Sequence, residues 1–321
     1  MLAWQADRML GAGRRIVAIA LNTYREAVRA RILLGLFALA LATALYSIAV
    51  GEFALKNASR VVADLGAASI SIYAILVAVV IGATSLYREL EQKTLFPILA
   101  RPVRRAEYLV GKYAGTLLTI AVFIAFDGAA VLFILARHGG RSFPIIGGAV
   151  AALVLLPAVM AFYLPRWRTY LPIGWAGIAL GVAIILAQGA TDDRRVVLGA
   201  SSLAFMEVMI VSAMATLFAS FSSPFLSAIF TVGLFIVGRE AGTLARLPVR
   251  VFGETIRRVG AGLATIVPNL EVYVPPRPLL TGEAIHTSLA RHLLLSGAQA
   301  VAWSVALLVL SSLIFERRDL S

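Results

Sequence analysis

Eight apolar runs, most of them close to the length of a membrane span, determine what this chain of 321 residues can fold into. A helix needs about 20 apolar residues to cross the roughly 30 Å hydrocarbon core of a bilayer. Apolar residues make up 60% of the chain and charged residues 14%, whereas soluble domains have about 45–50% and about 25%. Because a water-soluble core could not hide this much apolar surface, the chain is predicted to be an integral membrane protein.

The fold class predicted from these runs is an all-α polytopic membrane protein with about eight transmembrane helices. The predicted spans are Leu33–Val50, Ala67–Leu86, Tyr113–Leu135, Ile145–Leu164, Leu171–Ala190, Ser201–Phe221, Phe225–Gly238 and Leu293–Phe315. The seventh is short and ends beside Arg239 and Glu240, so its boundary is the least well defined. Pro157 lies inside the fourth span, where a neighbouring helix must satisfy the carbonyl that proline leaves without a donor.

Residues 1–32 are predicted to form an amphipathic helix at the membrane interface, followed by the transmembrane domain 33–321. Small and apolar residues recur at helical spacing between basic ones, and the basic side is expected to face lipid headgroups. The apolar positions are Ile16, Ala20, Thr23 and Ala27, and the polar ones are Arg15, Asn22, Arg25, Glu26 and Arg29. An ordinary polar lead-in is the alternative.

The distribution of basic residues predicts the orientation. An even number of spans places both termini on one side, and that side would hold 16 of the 29 lysines and arginines. The excess favours cytoplasmic termini. The net charge of +12 does not predict nucleic-acid binding, because the basic residues fall in short clusters between spans rather than on one exposed element.

The connection 87–112 between the second and third spans is rich in charged residues. It continues directly from the second span and leads directly into the third, and Pro97 and Pro102 interrupt its helical pattern. A connection with this much charge and local structure is a natural docking surface for a soluble partner. The alternative is a solvated loop that only fixes topology.

The motifs in this connection and elsewhere resemble the permease subunits of type-2 ABC exporters, in particular the branch that includes the permease for maturation of nitrous-oxide reductase. The resemblance extends along most of the chain. Its motifs are Glu89-x-Glu91-x-x-Thr94, Leu99-Ala100-Arg101-Pro102-Val103-x-Arg105, Gly111-Lys112, Phe218-x-Ser220-Phe221-Ser222-Ser223-Pro224, Val267-Pro268-Asn269-Leu270 and Phe315-Glu316-Arg317-Arg318-Asp319-Leu320.

The resemblance implies a protein of the bacterial inner membrane that exports a substrate. The connection would be a coupling helix seated on a separate ATP-binding-cassette ATPase subunit, which would carry the ATP and Mg. Its interface residues would be Glu89, Glu91, Lys93, Thr94, Arg101, Pro102, Arg104 and Arg105. The other implied partners are a second permease copy, identical or related, the lipid bilayer and a periplasmic protein.

The resemblance also implies a division of the transmembrane domain. Its permeases have six spans, so the segment 145–190 would be an inserted hairpin. The segment 16–31 would be the interfacial connecting helix, and 239–292 would face the periplasm. An alternative function is a subunit that transports nothing and transmits the effect of cytoplasmic ATP hydrolysis to a periplasmic or envelope partner.

The chain itself is not predicted to be an enzyme or to bind a cofactor. A phosphate-binding loop has its first glycine five residues before the Gly-Lys pair and a serine or threonine directly after it. Around Gly111-Lys112 these positions are Ala106 and Tyr113. The three histidines, His138, His286 and His292, lack the spacing of metal ligands, and the chain has no cysteine.

Two acidic residues inside spans are candidate intramembrane sites. Asp127 lies near the middle of the third span, where a carboxylate costs about 2.5–3.5 kcal/mol on insertion scales. It could line a transport route or hold a gate against a cation, or it could bond to a hydroxyl on a neighbouring helix. Glu207 is expected to lie shallower and to reach the interface. An intramembrane enzyme would have to use these two carboxylates.

Overall fold

The computed structural model describes residues 2–54, 57–91, 104–283 and 288–317. In these residues the chain is almost entirely helical and contains no strand, which confirms the all-α prediction. The helices are α1 (Leu2–Arg29), α2 (Arg31–Phe53), α3 (Ala58–Glu91), α4 (Arg105–His138), α5 (Phe143–Tyr163), α6 (Leu171–Leu186), α7 (Thr191–Ala219), α8 (Pro224–Arg239), α9 (Ala241–Ala245), α10 (Val249–Ile266), α11 (Arg277–Thr281) and α12 (Leu289–Arg317).

Seven helices of the described residues, α2 to α7 and α12, are long and apolar enough to cross a membrane. This is the architecture of a multi-pass helical membrane protein. The remaining predicted span corresponds to α8, an apolar helix of 16 residues. At 1.5 Å per residue α8 is about 24 Å long, which is less than the roughly 30 Å of a hydrocarbon core.

The first helix, α1, lies within the predicted segment 1–32. It begins at Leu2 and ends at Arg29, after which Ala30 has an extended backbone that separates it from α2. Its inner face packs along the first turns of α4, where Tyr24 and Ala27 are buried.

The core is built around α3 and α7, which lie side by side and run in the same direction. Gly82 of α3 allows a close approach, since an added Cβ there would lie 2.5 Å from the Cβ of Ala215 in α7. Residues that line this contact, such as Val77 and Val211, are fully buried. The α4 helix packs against both, so these three helices contain most of the buried apolar side chains.

The two ends of the bundle have different partners. At the end that we call the near end, α3 and α12 finish, α4 begins, and α1 packs against α4. At the opposite, far end, α3, α7 and α12 begin. There the chain after α10 returns into the bundle: the amide of Leu270 donates to the carbonyl of Gly238 (2.9 Å) and Gln299 donates to the carbonyl of Asn269 (3.1 Å).

A hairpin of α5 and α6 lies at the edge of the bundle. Of the 21 residues of α5, Ile146 is buried. Pro157 inside α5 has no N–H, which leaves the carbonyl of Leu153 without its usual donor. The indole N–H of Trp175 in α6 donates to that carbonyl (N···O 2.7 Å), so the partner that the sequence requires comes from the other arm of the hairpin.

Replacement of Trp175 by phenylalanine should therefore weaken the hairpin. We expect a loss of about 1 kcal/mol in the free energy of unfolding, since the donor is removed and the carbonyl stays in an apolar setting. In a Pro157→Ala background the new backbone N–H can bond to Leu153, and the same replacement should cost much less. Steric-trap unfolding in bicelles measures the free energy of unfolding of the wild type, the two single variants and the double variant. Trp167→Phe, in the exposed turn, is the control. Equal costs in both backgrounds would contradict the assignment.

Candidate functional sites

Four of the eight residues predicted for ATPase coupling lie in a segment that the structure does not describe, and the other four lie on either side of it. Lys93, Thr94, Arg101 and Pro102 lie outside the described residues, and Glu89 and Glu91 lie in the last turn of α3. Arg104 is exposed and precedes α4 as its N-terminal cap residue, and Arg105 is the first residue of α4. The structure therefore describes the two helix ends that flank the predicted docking segment, and both lie at the near end of the bundle.

Close helix packing joins α1 to the start of α4. Gly111 and Gly115 have the four-residue spacing that lets two helix backbones approach. A Cβ added to Gly111 would lie 2.7 Å from the Cβ of Ile19, and one added to Gly115 would lie 2.6 Å from the Cβ of Thr23 and would meet the carbonyl oxygen of Ala20. Because neither position has room for a side chain, these glycines hold α1 directly against α4.

Two ion pairs flank this glycine contact. Arg15 of α1 donates through Nε and Nη2 to the carboxylate of Glu107 in α4, with both distances 2.9 Å. Lys112, which is only 4% exposed, lies 3.4 Å from Glu26 and donates to the hydroxyl of Ser85 in α3 (3.1 Å). These pairs were not predicted from the sequence. The four-residue spacing of Gly111 and Gly115 was the sequence feature from which the close contact of α1 with α4, and so these pairs, could have been predicted.

Aromatic side chains extend the same contact towards the hairpin. Tyr24 of α1 is fully buried and stacks on Tyr170, with ring centroids 6.5 Å apart. Burial raises the pKa of Tyr24 to about 12. The tyrosine is therefore neutral at physiological pH and contributes an apolar ring to the interface between α1 and the turn before α6.

Arg105 joins α4 to the last helix. Its Nη1 donates to the backbone carbonyls of Phe315 (2.8 Å) and Glu316 (3.0 Å), and its guanidinium lies 5.7 Å from the ring centre of Phe315. The last carbonyls of a helix have no partner within the helix and carry partial negative charge. Arg105 therefore binds the end of α12, a role that its predicted place in a docking surface does not include.

Asp127 is fully buried in α4, and both of its carboxylate oxygens lack a hydrogen-bond partner within the described residues. The neighbouring residue Gly128 faces Ser201 of α7, whose buried hydroxyl also lacks a partner in that part of the chain. Among the described residues no hydroxyl bonds to Asp127, and its role on a transport route or at a gate stays a prediction.

Glu207 differs from its prediction. It is fully buried rather than shallow, and it accepts two hydrogen bonds from Arg239 at the end of α8, from Nε (2.7 Å) and Nη2 (2.8 Å). Ser71 of α3 bonds to both charged groups, at 3.4 Å from Glu207 and 3.2 Å from Arg239. The prediction was wrong because α8 is short and ends beside the middle of α7, so that its terminal arginine reaches the carboxylate inside the bundle.

Breaking this buried pair should be costly. Glu207→Gln leaves the guanidinium of Arg239 without its counter-charge, and we expect the free energy of unfolding to fall by about 3–5 kcal/mol. The double replacement Glu207→Gln with Arg239→Gln should cost less than the two single losses added together. Glu254→Gln breaks surface pairs with Arg257 and Arg258 and is the matched control, expected to cost about 1 kcal/mol or less. Similar losses for Glu207→Gln and Glu254→Gln, measured by steric trapping, would contradict the role of burial.

Comparison with known proteins assigns no family to the chain. No protein-family model matches it, and no curated protein matches it. The resemblance to ABC exporter permeases therefore stays a prediction carried by short motifs. Inference about function depends on those motifs and on the geometry of the near end, the far end and the buried polar groups.

Proposed function

We propose that the chain is the membrane-spanning permease subunit of an ATP-binding-cassette exporter. A separate ATPase subunit would bind the connection 87–112 on the cytoplasmic side of a bacterial inner membrane and supply the energy of ATP. The observation that carries this proposal is the arrangement of the near end, where α1, α3 and α12 are each bonded to α4 beside that connection.

The lengths of the two flanking helices support a docking role. The helices α3 and α4 have 34 residues each, so each is about 51 Å long. This exceeds the roughly 30 Å hydrocarbon core, and each helix has excess length with which to hold the connection clear of the bilayer. A soluble ATPase could reach a connection presented in this way.

The bonds at the near end support transmission of a force applied there. A displacement of the connection would move the start of α4, and the pair Arg15–Glu107 would carry α1 with it. Arg105 would carry the end of α12, and Lys112 would carry α3 through Ser85. Closure of an ATPase pair could thus bias one packing of the helices over another, which is what an energy-driven change of access requires.

The finer predictions on topology belong to this proposal. We infer eight spans with α8 as the short one, both termini in the cytoplasm, and a second permease copy in the complex. We also place α1 at the cytoplasmic membrane interface. Its inner face contacts α4, and its exposed face carries Arg14, Arg25 and Arg29 together with Val17, which is 56% exposed. A face with arginines beside apolar side chains suits the headgroup region.

The docking test uses charge reversal at the end of α3. The full chain, tagged and produced in its own host, is purified in nanodiscs, and ATP hydrolysis of the purified complex is measured. Glu89→Lys with Glu91→Lys should release the ATPase subunit and reduce ATP turnover at least about tenfold, the effect of about 1.4 kcal/mol at the interface. Glu52→Lys, at the far end of α2, is the control and should change neither. An ATPase that stays bound and active in the double variant would refute the docking assignment.

A subunit that transmits force without transport is the second candidate function. One contact favours it: the guanidinium of Arg277 in α11 bonds to Asp64 of α3 and to Asp193 of α7. Through this contact the far-end segment 267–283 is tied to two helices of the core. A movement of these helices would therefore reach any periplasmic or envelope partner of that segment.

Replacement of Arg277 by glutamine separates the two candidates. For a force-transmitting subunit, the variant should retain ATP turnover and lose at least about tenfold in the response of the periplasmic side, since the charged contact to both helices is removed. That response is measured as ATP-dependent protection of residues 267–283 from hydrogen exchange. For an exporter, protection in this segment need not follow the ATP state. ATP-dependent protection that is the same in the wild type and in the variant would eliminate the second candidate.

A further inference from the structure

One nitrogen of the Arg239 guanidinium has no partner. Nε and Nη2 donate to Glu207, and Nη2 also bonds to Ser71, whereas Nη1 donates to nothing within the described residues. The carboxylate of Glu240, the next residue, does not pair with Arg239 in that part of the chain. Glu207 is fully buried, but the side chain of Arg239 is 26% exposed. The two N–H groups of Nη1 are therefore available to a group from outside the described chain.

These donors lie at the level of the middle of α7. Residues 192–195 at the start of α7 are all charged, and Glu207 is the one charged residue in the sequence from Val196 to Ala219. Glu207 is the twelfth of those 24 residues, about 17 Å from Val196. That distance is close to half of a hydrocarbon core of roughly 30 Å. Because hydrocarbon offers no acceptor, unbonded donors at this depth cost free energy until an acceptor binds them.

The ion pair attracts an anion although it has no net charge. Its carboxylate is the buried end, and its guanidinium is the partly exposed end. An anion on Nη1 is therefore closer to the positive charge than to the negative one, so its attraction to Arg239 exceeds its repulsion from Glu207. Arg277 is an example in this protein of one guanidinium that binds two carboxylates, those of Asp64 and Asp193. A second carboxylate is thus a suitable acceptor for Nη1.

An apolar stripe on α8 leads to this arginine. Its residues recur at spacings of four and three, which places them on one face of the helix, and they are between 38% and 74% exposed. They are Phe225, Ile229, Val232 and Ile236. Arg239 follows Ile236 by three residues and lies at the edge of the same face. A molecule bound to Nη1 therefore has an apolar surface about 17 Å long beside it.

We propose that Arg239 binds the carboxylate of a lipophilic acid, whose apolar body lies along the stripe of α8. The inference rests on the proposed export function, because it names the chemical class of the substrate. A carboxylate brings one negative charge close to Glu207, whereas a phosphate monoester would bring about two. Glu207 and Ser71 are positioning residues, since their bonds hold the guanidinium with Nη1 unoccupied.

The test measures the depth of a bound acid with single fluorophores, which is direct because the chain has no cysteine of its own. The full chain carries an NBD label at Ile236→Cys on the stripe, or at Val154→Cys in the middle of α5, where Val154 is also exposed. It is reconstituted in phosphatidylcholine vesicles with stearic acid that has a nitroxide near its carboxylate or near its methyl end. The measurement is made at alkaline pH, where the probe is ionised.

We expect the carboxylate-end nitroxide to quench position 236 more strongly than the methyl-end nitroxide, because Arg239 holds the carboxylate at mid-span. Position 154 is the matched control and should show the reverse order, since an unbound stearate has its carboxylate at the membrane surface. The methyl ester of the carboxylate-end probe should be enriched about tenfold less at 236, the effect of about 1.4 kcal/mol. Glu207→Gln with Arg239→Gln should give position 236 the order of position 154.

Three results would overturn the assignment. They are the same order of quenching at 236 and 154 in the wild type, equal enrichment of acid and ester at 236, and no quenching at 236, which would show that a protein such as a second copy covers the stripe. The comparison of acid with ester uses the wild-type pair, so it does not depend on the folding of the double variant. Binding is measured without an ATPase, so a negative result beside a confirmed docking test would refute the substrate class and leave the proposed function standing.

Discussion

A polar group in hydrocarbon has no water to bond with, and the internal contacts of this protein follow from that constraint. The carbonyl that Pro157 leaves open is bonded by Trp175, and the carboxylate of Glu207 is bonded twice by Arg239. Each of these bonds joins two helices rather than two residues of one helix. The requirement to satisfy polar groups therefore decides which helices are held together.

The two ends of the bundle are held together by different contacts. At the near end, Arg105 bonds to the last carbonyls of α12 and the glycine contact holds α1 on α4, so the helix that follows the predicted docking segment is joined to two others. At the far end, Arg277 and the returning segment tie the outer chain to α3 and α7. A perturbation at one end thus has a bonded path through α3 to the other, which a force-transmitting subunit needs.

Much of the helical framework could be predicted from the sequence, because a run of about 20 apolar residues has few alternatives in a bilayer. Seven of the eight predicted spans correspond to helices that are long enough to cross a membrane. The exception is Phe225–Gly238, the span whose boundary was least well defined in the sequence, which corresponds to a shorter helix. The partner of Glu207 could not be predicted. Its bond to Arg239 depends on where α8 ends relative to α7, which apolar periodicity does not encode. The same holds for Arg105, whose charge suggested docking and whose position assigns it to the end of α12.

The sequence by itself determined the class of this protein, an all-helical chain with helices long and apolar enough to cross a membrane. These features depend on local composition and on the length of apolar runs. Only the tertiary structure decided which charges are paired and which face outward, as in the contrast between buried Glu207 and the exposed Arg258 of α10. The physical reason is that pairing depends on distances between helices far apart in the chain, and these distances are set by packing contacts such as Gly82 against Ala215.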